Sequence, residues 1–252
     1  MSETDFILQT RELRRDFGGF RAIDGVSLDI RRGQIHAIIG PNGAGKTTTF
    51  NMLTKFLAPT AGSITLDGID ITSAGPAQVA SLGMVRSFQI SSTFGRLTAL
   101  QNVRIALLRA VNETHQFWRS SDHMNKHNDR AMQLLGQVGL ETWAHHPAAL
   151  LPYGRKRALE LATTLALDPK ILLLDEPTAG MGQEDIQTIS RLVKSLAGRK
   201  TIVIVEHNLK VISELADRIS VMVRGRVVCE GDYATVSANP DVKAAYLGSA
   251  HV

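Results

Sequence analysis

Apolar residues along the chain fall into unbroken short runs at its two ends and into spaced positions in its middle. Gln34-Ile35-His36-Ala37-Ile38-Ile39, Ile171-Leu172-Leu173-Leu174 and Thr201-Ile202-Val203-Ile204-Val205 have strand length and almost no alternation. Runs of this kind predict strands buried on both faces, as in a parallel sheet. Up to about Phe88, strand-like segments are punctuated by the turn signals Asp24-Gly25, Arg32-Gly33 and Asp67-Gly68, with a helix predicted over 46–56. From about Gln89 to Glu160 the pattern turns helical, with helices predicted over 99–111 and 131–138 on either side of a polar stretch. From Leu161 onward strands and helices alternate again, the pattern of parallel α/β units. The end, Asn239-Pro240-Asp241-Val242 to Tyr246-Leu247, reads as a short capped helix.

Composition narrows the class. With 252 residues, 44% hydrophobic and 21% charged, the chain has room for a full core and the balance of a soluble globular protein. No apolar run approaches the roughly 18 residues that span a bilayer, and Met1-Ser2-Glu3-Thr4-Asp5 lacks a signal-peptide pattern. Cys229 is the single cysteine, so an internal disulfide is excluded and a reducing cytoplasm is expected. The net charge of +4 is spread over short clusters, Arg14-Arg15, Arg31-Arg32 and Arg155-Lys156-Arg157, without interleaved aromatics. No nucleic-acid partner is expected from that pattern. A mild basic excess suits a solvated surface near an anionic membrane face.

The candidate chemistry begins at Gly40-Pro41-Asn42-Gly43-Ala44-Gly45-Lys46-Thr47, followed by Thr48. This is a complete G-x-x-x-x-G-K-[ST] loop between a predicted strand and a predicted helix. Its glycines let successive N–H groups converge on a phosphate, Lys46 reaches the β- and γ-phosphates, and the Thr47 hydroxyl is a Mg²⁺ ligand. The chain is therefore expected to bind a nucleoside triphosphate. Ile171 to Leu174 then runs into Asp175-Glu176-Pro177. A buried parallel strand delivers such carboxylates to the ligand crevice, where Asp175 serves Mg²⁺ and Glu176 serves as general base for water. The pair His123 and His127 lacks the glutamate of a zinc hydrolase helix, His145-His146 precedes Pro147 as in a loop, and no metal site is assigned to them.

Taken together, Gly40 to Thr47, Gln89, Leu151-Pro152-Tyr153-Gly154-Arg155, Leu174-Asp175-Glu176-Pro177 and His207 resemble, in order and spacing, the motifs of an ABC-type ATPase subunit. The resemblance extends from Leu8 to Gly248. It implies a P-loop α/β core with an antiparallel β subdomain and an inserted helical subdomain, with residues 1–88 and 161–252 as core and 89–160 as insert. It further implies ATP and Mg²⁺ as ligands and two composite ATP sites at a head-to-tail dimer interface. By the same resemblance Gln89 contacts Mg²⁺ and the attacking water, His207 contacts the γ-phosphate, and Phe17 stacks on adenine, with neighbouring Phe20 as the alternative. The segment Leu151 to Arg155 would serve the ATP bound across the dimer.

Two segments depart from the family pattern, the signature segment and the one after the paired acids. Pro152 replaces a serine whose hydroxyl usually meets the opposite γ-phosphate, and Arg155 stands in place of glutamine. Gly182 replaces the aspartate that usually makes a cross-dimer contact. Arg155, Lys156 and Arg157 oppose the dipole of a helix starting there unless an anion docks, which favours phosphate binding in trans. Both departures favour a non-identical second ATPase subunit, with a homodimer as the alternative.

The helical insert, Asp175 to Met181 and the C-terminal segment resemble the branched-chain amino acid importer class. That resemblance implies integral-membrane permease partners, a periplasmic binding protein acting indirectly, and a peripheral position on the cytoplasmic face of the inner membrane. A lipid- or lipopolysaccharide-exporting ABC ATPase is the nearest alternative. A DNA-associated ABC ATPase would usually carry a coiled-coil or zinc-bearing insertion, and a P-loop kinase would have no use for the signature segment.

Overall fold

The computed structural model describes residues 5–87, 93–110 and 127–247. Its strands are β1 (Phe6–Phe17), β2 (Phe20–Arg31), β3 (Ile35–Ile39), β4 (Ala61–Leu66), β5 (Ile69–Asp70), β6 (Met84–Ser87), β7 (Ile171–Asp175), β8 (Thr201–Val205), β9 (Arg218–Val223) and β10 (Arg226–Gly231). Its helices are α1 (Lys46–Leu53), α2 (Pro76–Ser81), α3 (Ala99–Ala110), α4 (Asn128–Gln137), α5 (Tyr153–Ala166), α6 (Gln183–Leu196), α7 (Leu209–Leu215), α8 (Tyr233–Ala238) and α9 (Pro240–Leu247). They form two compact units. One holds Met1–Val85, Lys170–Glu176 and Leu196–Val252, the other Arg86–Pro169 and Pro177–Ser195. The helical unit thus starts at Arg86 rather than Gln89, runs past Glu160, and includes a second stretch that lies after the paired acids.

In the first unit, an antiparallel sheet of order β2-β1-β4-β5 accompanies a six-stranded sheet of order β10-β9-β3-β8-β7-β6. The chain passes to the second unit within β6. β1 and β2 are a hairpin in which Phe17 pairs with Phe20. The two turn residues, Gly18 and Gly19, have φ of 50° and 94°, as a tight two-residue hairpin turn requires. β3 pairs in parallel with β8 and β9, and β7 in parallel with β8. Every residue of β3, β7 and β8 is buried, which is why their sequences read as unbroken apolar runs. Being parallel, these strands bring Ile39, Asp175 and Val205 to the same edge of the sheet.

The helix predicted over 46–56 ends at Leu53. The Thr54 hydroxyl donates back to the Phe50 carbonyl at 2.8 Å, and Lys55 takes a φ of 62°, which no helix continues through. α9 carries the expected cap: Asn239 Oδ1 accepts from the amides of Asp241 at 2.8 Å and Val242 at 3.2 Å.

In the second unit, α3 packs against α4 and α5, and Val103, Leu134, Leu135 and Leu159 on these helices are buried. Buried Asn102 fastens the loop before α3. Its Oδ1 accepts from the Phe94 amide at 2.7 Å, and its Nδ2 donates to the carbonyls of Thr98 at 2.9 Å and Phe94 at 3.2 Å.

One polar side chain sits inside β3. His36 is fully buried, with Nε2 2.7 Å from Ser220 Oγ. Ser220 Oγ donates to Glu230 Oε2 at 2.8 Å, so the imidazole Nε2–H donates to the serine and Nδ1 carries the lone pair. Burial pushes the His36 pKa from 6.5 down to about 4, with Glu230 pulling it back and Arg218 adding to the drop. The unfolded chain therefore takes up a proton as pH falls below 6.5, while the folded chain does not until about pH 4. Stability should fall by roughly 2–3 kcal/mol through His36 between pH 7.5 and 4.5. Urea unfolding at both pH values, compared with His36→Gln, isolates that contribution. Equal losses in the two proteins would refute it.

Candidate functional site

The loop between β3 and α1 is shaped by close backbone approaches. Gly40 has φ 152°, and a Cβ there would lie 2.1 Å from the Met222 carbonyl oxygen of β9. Gly45, with φ 100°, starts α1, and a Cβ on it would press to 2.6 Å of Ile23 Cδ1. Two backbone bonds hold the loop between them: Ala44 N–H donates to Pro41 O at 3.2 Å, and Gly225 N–H donates to Ala44 O at 2.9 Å. Lys46 folds back under this arch. It is 6% exposed, and its Nζ donates to Gly40 O at 2.7 Å and Pro41 O at 3.0 Å. Burial pushes its pKa down, and the charges of Glu176 and Asp175 pull it part of the way back.

Those carboxylates stand at the end of β7. Asp175 is its last residue and is buried. Glu176 has φ 48°, a left-handed conformation that costs a non-glycine residue on the order of 1 kcal/mol, and its N–H donates to Val205 O at 2.9 Å. The turn brings Glu176 Oε1 to 2.6 Å from His207 Nε2. His207 is fixed in turn by its own amide, which donates at 3.0 Å to Oε2 of buried Glu206. Asn208 then caps α7.

All of this opens on one cleft of about 440 Å³ within the first unit, lined by Phe17, Phe20, Ala22, Asn42 to Thr48, Glu176 and His207. Phe17 and Phe20 are both exposed, and the Arg15 guanidinium stands 4.6 Å over the Phe17 ring. The cleft therefore combines flat aromatic surface, a glycine-rich backbone arch with a buried ammonium, and a carboxylate–imidazole pair. That set suits a planar base, a polyphosphate and a polarised water, respectively.

The donors also suit Mg²⁺. This ion favours one or two protein oxygens and completes its shell with phosphate and water. Thr47 lines the cleft, and the Asp175 carboxylate lies close enough to act on Lys46. Among the described residues no cluster of three or more His, Cys, Asp or Glu could hold a metal by itself. Gln89 lies outside the described residues, as do Phe88 and His123.

The signature segment belongs to the second unit. Leu151 is buried, Pro152 occupies the N-cap of α5, and Tyr153 is exposed. Gly154 lies so close to α6 that a Cβ on it would be 2.1 Å from Asp185 Oδ2. Two of the three cations expected to meet a phosphate are engaged inside this unit. Arg155 Nη1 donates to the Gly139 carbonyl at 3.0 Å, and Arg157 donates to Glu160 at 2.9 Å and to the Tyr153 hydroxyl at 3.0 Å. Glu160 and the neighbouring acid Asp185 place negative charge near these cations within the same unit. Gly182 is exposed with nothing within 4 Å of a Cβ, so an aspartate would fit there.

Sequence reasoning missed Asp185, one of two acids in the first turn of α6, where no spacing marks it out.

Comparison with known proteins fits this geometry. The family model described as "ABC transporter" matches residues 23–179, and that described as "Branched-chain amino acid ATP-binding cassette transporter" matches residues 226–252. The high-affinity branched-chain amino acid transport ATP-binding protein BraF of Pseudomonas aeruginosa is 37% identical, over 97% of this chain and 98% of its own. A probable branched-chain amino acid transport ATP-binding protein of Archaeoglobus fulgidus is 32% identical, over 96% of each chain. Among solved structures, a nucleotide-free ATP-binding cassette from an ABC transporter superposes with a TM-score of 0.83 at 28% identity, covering 96% of this chain and 98% of the other. A dimeric cassette in a post-hydrolysis state, bound to ADP and phosphate, superposes with a TM-score of 0.76 at 26% identity, covering 89% and 98%.

Proposed function

From a chain that belongs to the branched-chain amino acid class of ABC transporter ATP-binding proteins, we propose an ATPase subunit that drives import of branched-chain amino acids through separate membrane-spanning permeases. The substrate reading is supported by the relatives and by the C-terminal match over residues 226–252, which favours amino acids over lipid export. No helix among the described residues is long and apolar enough to cross a membrane, and this reading assigns the path for substrate to the permeases.

In the proposed mechanism, Phe17, or Phe20 beside it, stacks on the adenine. The amides of Asn42 to Thr48 cradle the β-phosphate, and Lys46 leaves the carbonyls of Gly40 and Pro41 for the β- and γ-phosphates. Thr47, Asp175 and, by family resemblance, Gln89 would hold Mg²⁺, which would supply charge neutralisation on the phosphates. Glu176 accepts the proton of the attacking water, and His207 steadies both Glu176 and the γ-phosphate. The observation that carries this assignment is the 2.6 Å contact between Glu176 and His207 in the same cleft as the phosphate loop. Leu151 to Arg155 would complete the site of the opposite subunit, with the Gly154 N–H as the donor that remains where Pro152 lacks a hydroxyl.

Pro152 and Gly182 favour a non-identical second ATPase. Alone, the chain should bind Mg-ATP, turn it over slowly and dimerise weakly. With the cognate second ATPase, permeases and binding protein in proteoliposomes, the rate per site should rise about tenfold, about 1.4 kcal/mol off the barrier. Uptake of labelled leucine should then require ATP. Equal rates alone and in the complex would remove the heterodimer reading, and ATP hydrolysis without leucine uptake would remove the substrate reading.

A further inference from the structure

The β1–β2 hairpin carries two exposed rings into the lining of the cleft, Phe17 and Phe20, and they differ in what lies behind them. The Arg15 guanidinium stands 4.6 Å from the centre of the Phe17 ring. Among the described residues no cation lies over Phe20, which is 68% exposed against 43% for Phe17. Arg15 is itself fastened. Its Nη1 donates to the Ala58 carbonyl at 2.8 Å, and its Nε is buried without a hydrogen-bond partner. Two further bonds tie the same segment to β1: Thr60 N–H donates to the Arg14 carbonyl at 2.7 Å, and Asp16 N–H donates to Thr60 Oγ1 at 3.1 Å. Among the described residues, Phe17 lines the cleft and neither Arg15 nor Ala58 does, so the guanidinium covers a side of the ring turned away from the ligand space.

A cation partly removed from water binds a ring face more strongly than a hydrated one. Seated there, Arg15 restrains a side chain at an exposed hairpin tip, so less freedom is lost when a base arrives. It also draws ring electron density toward itself, leaving the opposite face less negative toward a purine laid flat on it. We propose that Arg15 is a positioning residue for the nucleotide base: it backs Phe17 and thereby makes that ring, rather than Phe20, the platform on which a purine stacks. The proposal rests on the ATP-site reading above and names the ring that reading leaves open. Arg15 touches no part of the nucleotide; it acts through Phe17. Loss of the guanidinium should therefore weaken ligands that carry a base and spare a bare polyphosphate.

The test is a double-mutant cycle on the full-length chain, read as the Kd for ATP by titration. Arg15→Ala should raise that Kd about threefold to tenfold, the range of a partly desolvated cation–π contact. Phe17→Ala should raise it about fivefold or more, as loss of a base–aromatic stack does. Arg15→Ala should add nothing further in a Phe17→Ala chain, yet keep its full factor in a Phe20→Ala chain. The Kd for Mg-tripolyphosphate, which has no base, should be the same in Arg15→Ala as in the wild type. Wild-type ATP affinity in Arg15→Ala would overturn the proposal, as would a factor that persists in Phe17→Ala. So would an equal loss of tripolyphosphate binding, which would give the arginine a direct effect on the phosphates or the fold. A wild-type chain that binds neither ATP nor tripolyphosphate would instead undo the site reading itself.

Discussion

Replacing Glu176 with glutamine should leave ATP binding within a few-fold of wild type while lowering turnover by about 10²- to 10⁴-fold, the usual contribution of a positioned general base. Glutamine has the same shape and still hydrogen-bonds His207, so the strained turn at φ 48° and the cleft lining persist. What is lost is the ability to take a proton from water. With its partner ATPase, the variant should therefore accumulate in an ATP-bound dimer, visible by light scattering, because in the proposed cycle closure follows binding and reopening follows hydrolysis. Steady-state phosphate release within the full transporter is the deciding measurement, and a rate equal to wild type would assign the base elsewhere.

Lys46→Ala should act one step earlier. Charge-assisted hydrogen bonds contribute about 1.5–3 kcal/mol each. Loss of the ammonium should raise the Kd for ATP at least tenfold, with ADP less affected because it lacks the γ-phosphate. Titration with labelled nucleotide reads this directly. The substitution also strips the Gly40 and Pro41 carbonyls of their buried donor, so a loss of about 1 kcal/mol in folding stability should accompany it. A thermal scan separates the two effects. Wild-type ATP affinity with lowered stability would make Lys46 a structural lysine rather than a ligand.

The different fates of the predicted groups follow from the range over which each is determined. The phosphate loop is local: its glycines, Lys46 and Thr47 lie within eight consecutive positions, and strand and helix on either side follow from apolar pattern. The strand ending in Asp175 and Glu176 was legible for the same reason, since an unbroken apolar run signals burial on both faces. The end of α1 was not, because Thr54 and Lys55 stop it through contacts to Phe50 and Thr72 that propensity does not encode.

Arg155 and Arg157 show what charge pattern alone leaves out. In sequence, three adjacent cations look uncompensated; in the fold, the Gly139 carbonyl and Glu160 take up two of them. His36 reads simply as part of a strand until β9 and β10 bring Ser220 and Glu230 beside it. By itself, then, the sequence determined the nucleotide chemistry and the elements that carry it, because those depend on residue type and spacing over a few positions. Only the tertiary structure decided that Glu176 meets His207 and that Asp185 covers Gly154. Each of those pairings joins residues remote in the chain, and they are selected by how strands and helices pack rather than by any local preference.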